Sequence, residues 1–164
     1  MKIALLSDTH GYIDEAILTH VSQADEVWHA GDFGTIEVCQ KLSALKPLRG
    51  VYGNIDGQDI RKIYPLHNRF LCEGFDVWIT HIGGYPGKYD PKIRELIQQN
   101  PPDILICGHS HILKIMKDAT RNNLLFINPG AAGKEGFHRV RTLIKLTLKG
   151  KIISDVQVVE LGKR

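Results

Sequence analysis

Ile104-Leu105-Ile106-Cys107-Gly108-His109-Ser110-His111 is a short apolar run that stops abruptly in two imidazoles. Its length and its β-branched residues favour a buried strand, and Gly108 lets the backbone turn where the polar residues begin. Ligands and catalytic groups belong at such strand ends. Histidines two apart in extended or turning backbone diverge toward neighbouring points, whereas helical metal pairs sit three or four apart, so His109 and His111 suit two metal ions better than one. A His-x-His in isolation is an ordinary polar loop. The reading depends on whether other strands end the same way.

Four strands before it do, three of them in the first half of the chain. Lys2-Ile3-Ala4-Leu5-Leu6-Ser7 is nearly continuous in apolar residues and runs into Asp8-Thr9-His10-Gly11. Ile13, Ile17, His20 and Val21 then recur at helical spacing behind Asp14 and Glu15, acids placed where a helix dipole favours them. Glu26-Val27-Trp28-His29-Ala30 forms a second strand broken by Gly31-Asp32-Phe33-Gly34, and Ile36, Cys39, Leu42 and Leu45 mark a second helix closed by Pro47. His29, three residues before Asp32, falls on the opposite face of the strand and reads as a core or supporting histidine. Leu48-Arg49-Gly50-Val51-Tyr52 is the third strand, ending in Gly53-Asn54-Ile55-Asp56-Gly57. The β-α-β-α-β order with parallel crossovers puts these ends on one edge of a sheet, the usual place for sites in α/β folds.

The second half is richer in hairpins. Residues 70–73 and 75–80 pair around Gly74, and the second of these strands runs into His81. A glycine-rich loop, Ile82-Gly83-Gly84-Tyr85-Pro86-Gly87, follows without the spacing or Lys-Ser/Thr ending of a phosphate-cradling P-loop. Asp90-Pro91 opens a helix with Ile93, Leu96 and Ile97 inward, stopped by Pro101-Pro102. Residues 114–119 and 124–127 form another hairpin, ending in Asn128-Pro129-Gly130. Residues 142–148 and 151–159 alternate around Lys149-Gly150 as a last hairpin, leaving Gly162-Lys163-Arg164 as a frayed, solvated tail.

Five strand ends therefore carry Asp8/His10, Asp32, Asn54, His81 and His109/His111. Carboxylates, imidazoles and an amide oxygen make a mixed donor set suited to manganese, iron, zinc or nickel. Seven ligands are too many for one ion. Two ions ~3.5–4 Å apart, bridged by a carboxylate and a hydroxide, would use them all and would stabilise both attacking and leaving oxygens in phosphoryl transfer.

Composition sets the surrounding bounds. The 164 residues suit one domain, residues 1–164, with 43% hydrophobic and 24% charged residues. No apolar stretch approaches the ~20 residues needed to cross a bilayer, and the opening segment meets Asp8 too soon for a signal peptide, so a cytoplasmic protein without membrane association is expected. Cys39, Cys72 and Cys107 lie far apart, mostly inside apolar segments, and fit neither disulfides nor a zinc finger; they read as core residues. A net charge of +3 suits an anionic substrate and gives no ground to expect nucleic acid. An oligomer is compatible with all of this.

The set Asp8-x-His10, Gly31-Asp32, Gly53-Asn54-x-Asp56, Thr80-His81 and Gly108-His109-Ser110-His111, followed by Asn128-Pro129-Gly130, resembles the calcineurin-like metallophosphoesterase superfamily, and within it the small single-domain bacterial and archaeal phosphodiesterases. That resemblance implies an α/β fold, a four-layer α/β/β/α sandwich of two facing mixed sheets. It implies two divalent transition-metal ions, manganese foremost, with Asp8, His10 and His111 on the first, Asn54, His81 and His109 on the second, and Asp32 bridging. Asp32, Asn54, Asp56 and His81 would be the catalytic group, with Asp56 acting from behind on a ligand or the leaving group. The implied reaction is hydrolysis of a small phosphate ester, a phosphodiester or activated ester, by a metal-bound hydroxide. The competing reading is a non-catalytic scaffold of the retromer-subunit type, against which the complete ligand set speaks; a double-strand-break-repair nuclease would need a capping domain that the length does not accommodate.

The chain departs from that family in two places. Ile55 stands where many phosphomonoesterases of the superfamily carry the histidine that protonates the leaving group, which favours diesters or activated esters. Ile82-Gly83-Gly84-Tyr85 stands where small relatives often have Gly-His, and Tyr85 and Tyr89 are candidates to line the substrate site.

Overall fold

A computed structural model describes residues 1–164. The strand-loop-helix order of the first half appears as β1 (Lys2–Leu6), α1 (Glu15–Ser22), β2 (Glu26–His29), α2 (Ile36–Leu45), β3 (Leu48–Gly50) and a short α3 (Gln58–Arg61). The second half gives β4 (His67–Cys72), β5 (Phe75–Thr80), β6 (Gly84–Tyr85), β7 (Lys88–Tyr89), α4 (Pro91–Gln99), β8 (Ile104–Ile106), β9 (Lys114–Asp118), β10 (Leu124–Asn128), β11 (Val140–Lys149) and β12 (Ile152–Lys163). Two five-stranded sheets result, ordered β12-β11-β1-β2-β3 and β4-β5-β8-β10-β9. Both are mixed. β1, β2 and β3 run parallel, as do β5, β8 and β10, while hairpin partners flank each group.

The burial pattern explains the layering. Ile3, Leu5 and Trp28 from the first sheet meet Val77, Ile79, Ile104, Ile106 and Ile127 from the second in one apolar cluster. Outside the first sheet, Ala4, Leu6 and Val27 pack against Ile17, Val21, Val38 and Leu42 of α1 and α2. Leu105 and Phe126 cover Ile93 and Ile97 of α4 on the far side of the second. Strands buried on both faces must be apolar at every position, which is why β1 and β8 read as unbroken runs. The order is helix, sheet, sheet, helix.

Several boundaries depart from the sequence reading. Leu45 and Leu96, expected inward, are 42% and 47% exposed, because α2 and α4 bury narrower stripes than the apolar spacing implied. The third strand stops at Gly50 and does not reach Tyr52, whose N–H turns away to the Pro65 carbonyl. The last hairpin turns at Gly150-Lys151, both left-handed at φ 53° and 64°, as a two-residue turn between pairing strands requires. Residues 162–164 are not wholly a frayed tail. β12 continues through Lys163 because Arg141, buried, donates to the Leu161 carbonyl at 2.7 Å and to the Lys163 carbonyl at 3.2 Å. The glycine-rich loop is a two-stranded ribbon, with Pro86 and Gly87 (φ 88°) at the central positions of a tight turn and Tyr85 opposite Lys88.

Cys39, Cys72 and Cys107 are free and buried. No helix is long and apolar enough to cross a membrane.

Candidate metal centre

The parallel strands of both sheets end at the same edge, and the loops there converge. Asp8 and His10 follow β1, Asp32 follows β2, and Asn54 follows β3; His81 follows β5, and His109 and His111 follow β8. The first loops stay zipped beyond their strands: Asp8 N–H donates to the Gly31 carbonyl, His10 N–H to Asp32 and Gly11 N–H to Phe33, at 2.7–3.0 Å. Gly108 lets the sheets close on each other. A Cβ there would lie 2.1 Å from Ser7 Oγ and 2.8 Å from Asp8 Oδ2.

Asp8, His10 and His111 form one group of potential ligand atoms within 4.8 Å of one another, and Asp32, His81 and His109 form a second. Asp32 Oδ2 lies 3.6 Å from His10 Nε2 and 3.2 Å from His81 Nε2, between the groups. Asp8 Oδ1 is 3.2 Å from His111 Nε2 and 4.0 Å from both His10 Nε2 and His81 Nε2. Asn54 Oδ1 approaches His81 Nε2 at 3.1 Å. Five of these residues, Asp8, His10, Asp32, His109 and His111, have left-handed backbone at φ 48–65°. Aspartate and histidine tolerate that region better than bulky residues do, but each departure costs energy, and such departures cluster at functional sites.

The hydrogen bonds define what this point lacks. His81 Nδ1 donates to the Ala30 carbonyl at 2.7 Å, so in the neutral ring Nε2 presents a lone pair. That lone pair faces oxygens of Asp32, Asp8 and Asn54, acceptor against acceptors. His10 Nε2 is buried without a hydrogen-bond partner. Cations held by the two groups would satisfy these atoms, and the donor set of nitrogens and oxygens fits divalent transition metals. The same field moves the titrating groups. Burial opposes protonation of His81, yet Asp32 and Asp8 raise its pKa; Asp8 raises that of His111 by hydrogen bond and charge. Burial opposes ionisation of Asp32, but His81, the Ile55 N–H and His10 hold its carboxyl below the usual range.

His29 stands behind the ligands. It is fully buried, stacked 3.7 Å from the Phe33 ring, and burial pushes its pKa down to about 3. Gly31 N–H donates to Nδ1 at 3.1 Å, which leaves the Nε2 proton to donate to Thr9 Oγ1 at 3.0 Å. The Thr9 hydroxyl passes on to the Phe33 carbonyl at 3.1 Å, stitching the Asp8-Thr9-His10 loop to the Asp32 loop. Asp56 makes a similar link. Its two oxygens accept from Gly34 N–H and Gly53 N–H, each at 2.8 Å, joining the loops of Asp32 and Asn54. Asn128 donates to the Gly108 carbonyl at 2.8 Å and to Ser110 Oγ at 3.0 Å beneath His109. His138, which belongs to none of the strand-end motifs, lies edge-on 5.3 Å from the His111 ring.

Two cavities flank the ligands. One, of about 480 Å³, is lined by Gly108, His109 and Ser110 together with Tyr85 and Lys88 of the ribbon. The other, of about 470 Å³, is lined by Asn54 and His81 together with Tyr52, Arg61 and His67. Ile82 and Asp90 line both. Ile55 is 45% exposed beside Asn54. Tyr85 and Tyr89 both line the first cavity, Tyr85 exposed and Tyr89 largely buried with its hydroxyl donated to Asp118 at 2.8 Å.

Solved structures with this fold include an archaeal phosphodiesterase, with TM-score 0.77 and 22% identity over 98% of this chain and 100% of that one. Wild-type Vps29 from Entamoeba histolytica complexed with zinc gives TM-score 0.75 and 18% identity over 99% of both chains. Among curated sequences, the chain is 31% identical to a "Probable metallophosphoesterase" of Mycoplasma pneumoniae over 94% of each, and 29% identical to one of Methanothermobacter thermautotrophicus over 80% of this chain and 77% of that one. Residues 1–151 match the model of the calcineurin-like phosphoesterase superfamily domain, and the chain belongs to that superfamily.

Proposed function

We propose that this protein is a dinuclear metal-dependent phosphodiesterase. The observation that carries the reading is the pair of ligand groups meeting at the Asp32 carboxylate. Asp8, His10 and His111 would hold one divalent ion, Asn54, His81 and His109 the other, and Asp32 both. Manganese is the first expectation, and iron, zinc or nickel suit the same donors. When bound, such a pair supplies an acidified water and neutralises the phosphate oxygens.

The remaining work falls to the chain. Ala30 fixes the His81 ring so that Nε2 faces the centre, and the Asp56 oxygens hold the Asp32 and Asn54 loops at a fixed separation. Asp56 is thus proposed as a positioning residue, since both its oxygens are already committed to backbone N–H groups. Arg61 supports the same loop by donating to the Asn54 carbonyl at 3.2 Å.

Two features favour diesters. Ile55 donates no proton, so a poor leaving group gains none of the ~10²–10⁴-fold that a positioned acid contributes. A diester also has two organic arms, and two cavities flank the ligands. A non-catalytic scaffold on the same fold is the competing reading, and turnover decides between them.

The test is steady-state hydrolysis of bis(p-nitrophenyl) phosphate and p-nitrophenyl phosphate at one pH, with manganese, iron, zinc or nickel supplied. A higher kcat/KM on the diester is expected, and Ile55→His should narrow or reverse the ratio. Absence of metal-dependent turnover on either ester would sink the enzymatic reading. Preference for the monoester would refute the inference from Ile55 alone.

A further inference from the structure

We propose that the cavity between the β6–β7 ribbon and β9 is a specificity subsite for a nucleotide arm that carries a second phosphate. The inference rests on the phosphodiesterase reading of the adjoining centre and names the kind of diester it takes.

The cavity begins at His109 and Ser110, so an ester held at the ligands has one arm directed into it. Its volume of about 480 Å³ is in the range of small-molecule sites. The walls are apolar and aromatic, from Ile112, Phe126 and the Tyr85 ring, which suits a planar base more than a sugar or an alkyl chain. The charged side chains on the lining are Lys88, Lys114 and Asp90, and they are unequal in availability. Asp90 is turned to its own helix, capping α4 through the Lys92 N–H at 2.9 Å. Lys114 Nζ lies 4.0 Å from the centroid of the Tyr85 ring, which holds an ammonium at the aromatic wall. Lys88 is exposed on the ribbon opposite Tyr85.

Lys88 also opens onto the next cavity, of about 210 Å³, which Arg94, Thr120 and Arg121 line without any acid. Arg121 donates through Nη1 to Thr120 Oγ1 at 2.9 Å and has no carboxylate partner, and its Nε makes no hydrogen bond. The nearby carboxylate, Asp118, is already engaged by the Tyr89 and Thr120 hydroxyls and the Thr120 N–H. From the ligands outward the lining thus runs from imidazole to aromatic wall to cations. A base-bearing arm ending in a second phosphate matches that sequence of surfaces. A neutral arm leaves the cations unmatched.

The test uses the metal-loaded protein and two probes differing by one phosphate. Calorimetry compares thymidine 3′,5′-bisphosphate with thymidine 5′-monophosphate. The bisphosphate is expected to bind tighter by roughly threefold to tenfold, the scale of one charge-assisted contact near the surface. Lys88→Glu should abolish that ratio, and Tyr85→Ala should weaken both nucleotides while leaving the ratio standing. Equal binding of the two by the wild type, or a ratio unchanged in Lys88→Glu, overturns the proposal. So does Tyr85→Ala binding both as the wild type does.

Hydrolysis separates this failure from that of the reading beneath it. Methyl p-nitrophenyl phosphate has no nucleotide arm, so its turnover reports on the centre alone. If it is hydrolysed while the two nucleotides bind alike, the subsite falls and the phosphodiesterase stands. If no metal supports its turnover while the bisphosphate preference responds to Lys88→Glu, the subsite stands and the enzymatic reading falls.

Discussion

The two sheets contribute unlike chemistry to one point. The sheet built on β1, β2 and β3 delivers Asp8, His10, Asp32 and Asn54, and with them every side-chain oxygen of the candidate ligand set; the sheet built on β5 and β8 delivers only imidazoles, His81, His109 and His111. Each ligand group nevertheless draws on both sheets. Neither sheet holds a complete site by itself, so an ion bound there would tie the sheets together at the open end of their shared core. The means of support differ too. The oxygen side is stitched by buried side chains, His29 with Thr9 and Asp56 with two backbone amides, whereas the imidazole side leans on carbonyls, Ala30 for His81 and, through Asn128, Gly108 for the His109 loop.

Removing the carboxylate between the groups should break the arrangement most completely. Asp32→Ala is expected to lower hydrolysis of an aryl phosphodiester by more than the roughly 10²–10³-fold that one lost stabilising donor costs in other enzymes. Metal content measured by elemental analysis should fall from about two ions per chain to one or none. An active Asp32→Ala protein retaining two ions would show that the oxygen side is dispensable.

Stability tests the tie between sheets directly. A ligand present at about 100 times its Kd stabilises the folded state by about 2.7 kcal/mol, and for a chain of this size each kcal/mol shifts Tm by about 2–4 °C. Chelation should therefore lower Tm by roughly 5–10 °C in the wild type and by much less in Asp32→Ala. Differential scanning fluorimetry with and without chelator gives the answer. An unchanged wild-type melt would mean that bound ions do not brace the two sheets.

Asp56→Asn sharpens the account of how the oxygen side is held. Both carboxylate oxygens accept from N–H groups. An amide keeps the shape but turns an NH2 toward one of those donors, and a buried donor left unsatisfied costs about 1–3 kcal/mol. The loops of Asp32 and Asn54 should loosen, and metal affinity should fall by roughly 10–100-fold, the usual effect of losing a group that orients ligands. Calorimetric metal titration decides it. Unchanged affinity would leave Asp56 with a role at the leaving group instead.

The sequence was informative where chemistry and periodicity coincide. Unbroken apolar runs such as residues 3–6 and 104–107 mark strands buried on both faces, and a polar residue at the end of such a run has few places to go except the sheet edge. The residues named from those ends lie around one point for that reason. What stayed hidden depends on long-range partners. The β6–β7 ribbon has two residues per strand, too few for any alternation to show, and is anchored by Tyr89 reaching Asp118, 29 positions away. β12 holds its final residues because of Arg141, which no local pattern announces. From its position in the sequence Asp56 is expected to act from behind on a ligand or the leaving group, and the choice is open because a sequence does not show that both its oxygens accept from backbone N–H groups.

The smallest functional effect is expected at Cys107, on the imidazole side. Its side chain is fully buried at the end of β8, immediately before Gly108, and packs so closely on Gly83 that a Cβ there would lie 2.2 Å from Cys107 Sγ. Burial pushes the thiol pKa upward, so the group is a poor nucleophile and a poor ligand in the folded protein. Cys107→Ala removes one buried atom and leaves the backbone bonds that set the loop, Cys107 N–H to Ile127 and Gly108 N–H to His81, both at 3.0 Å. The expected cost is about 1 kcal/mol of stability, comparable with other small deletions in a packed core, with metal content and kcat unchanged. A thermal melt paired with metal titration tests both halves. Loss of metal binding in a variant as stable as the wild type would show that the sulfur helps to place His109 and His111, and that the imidazole side depends on buried side chains as much as the oxygen side does.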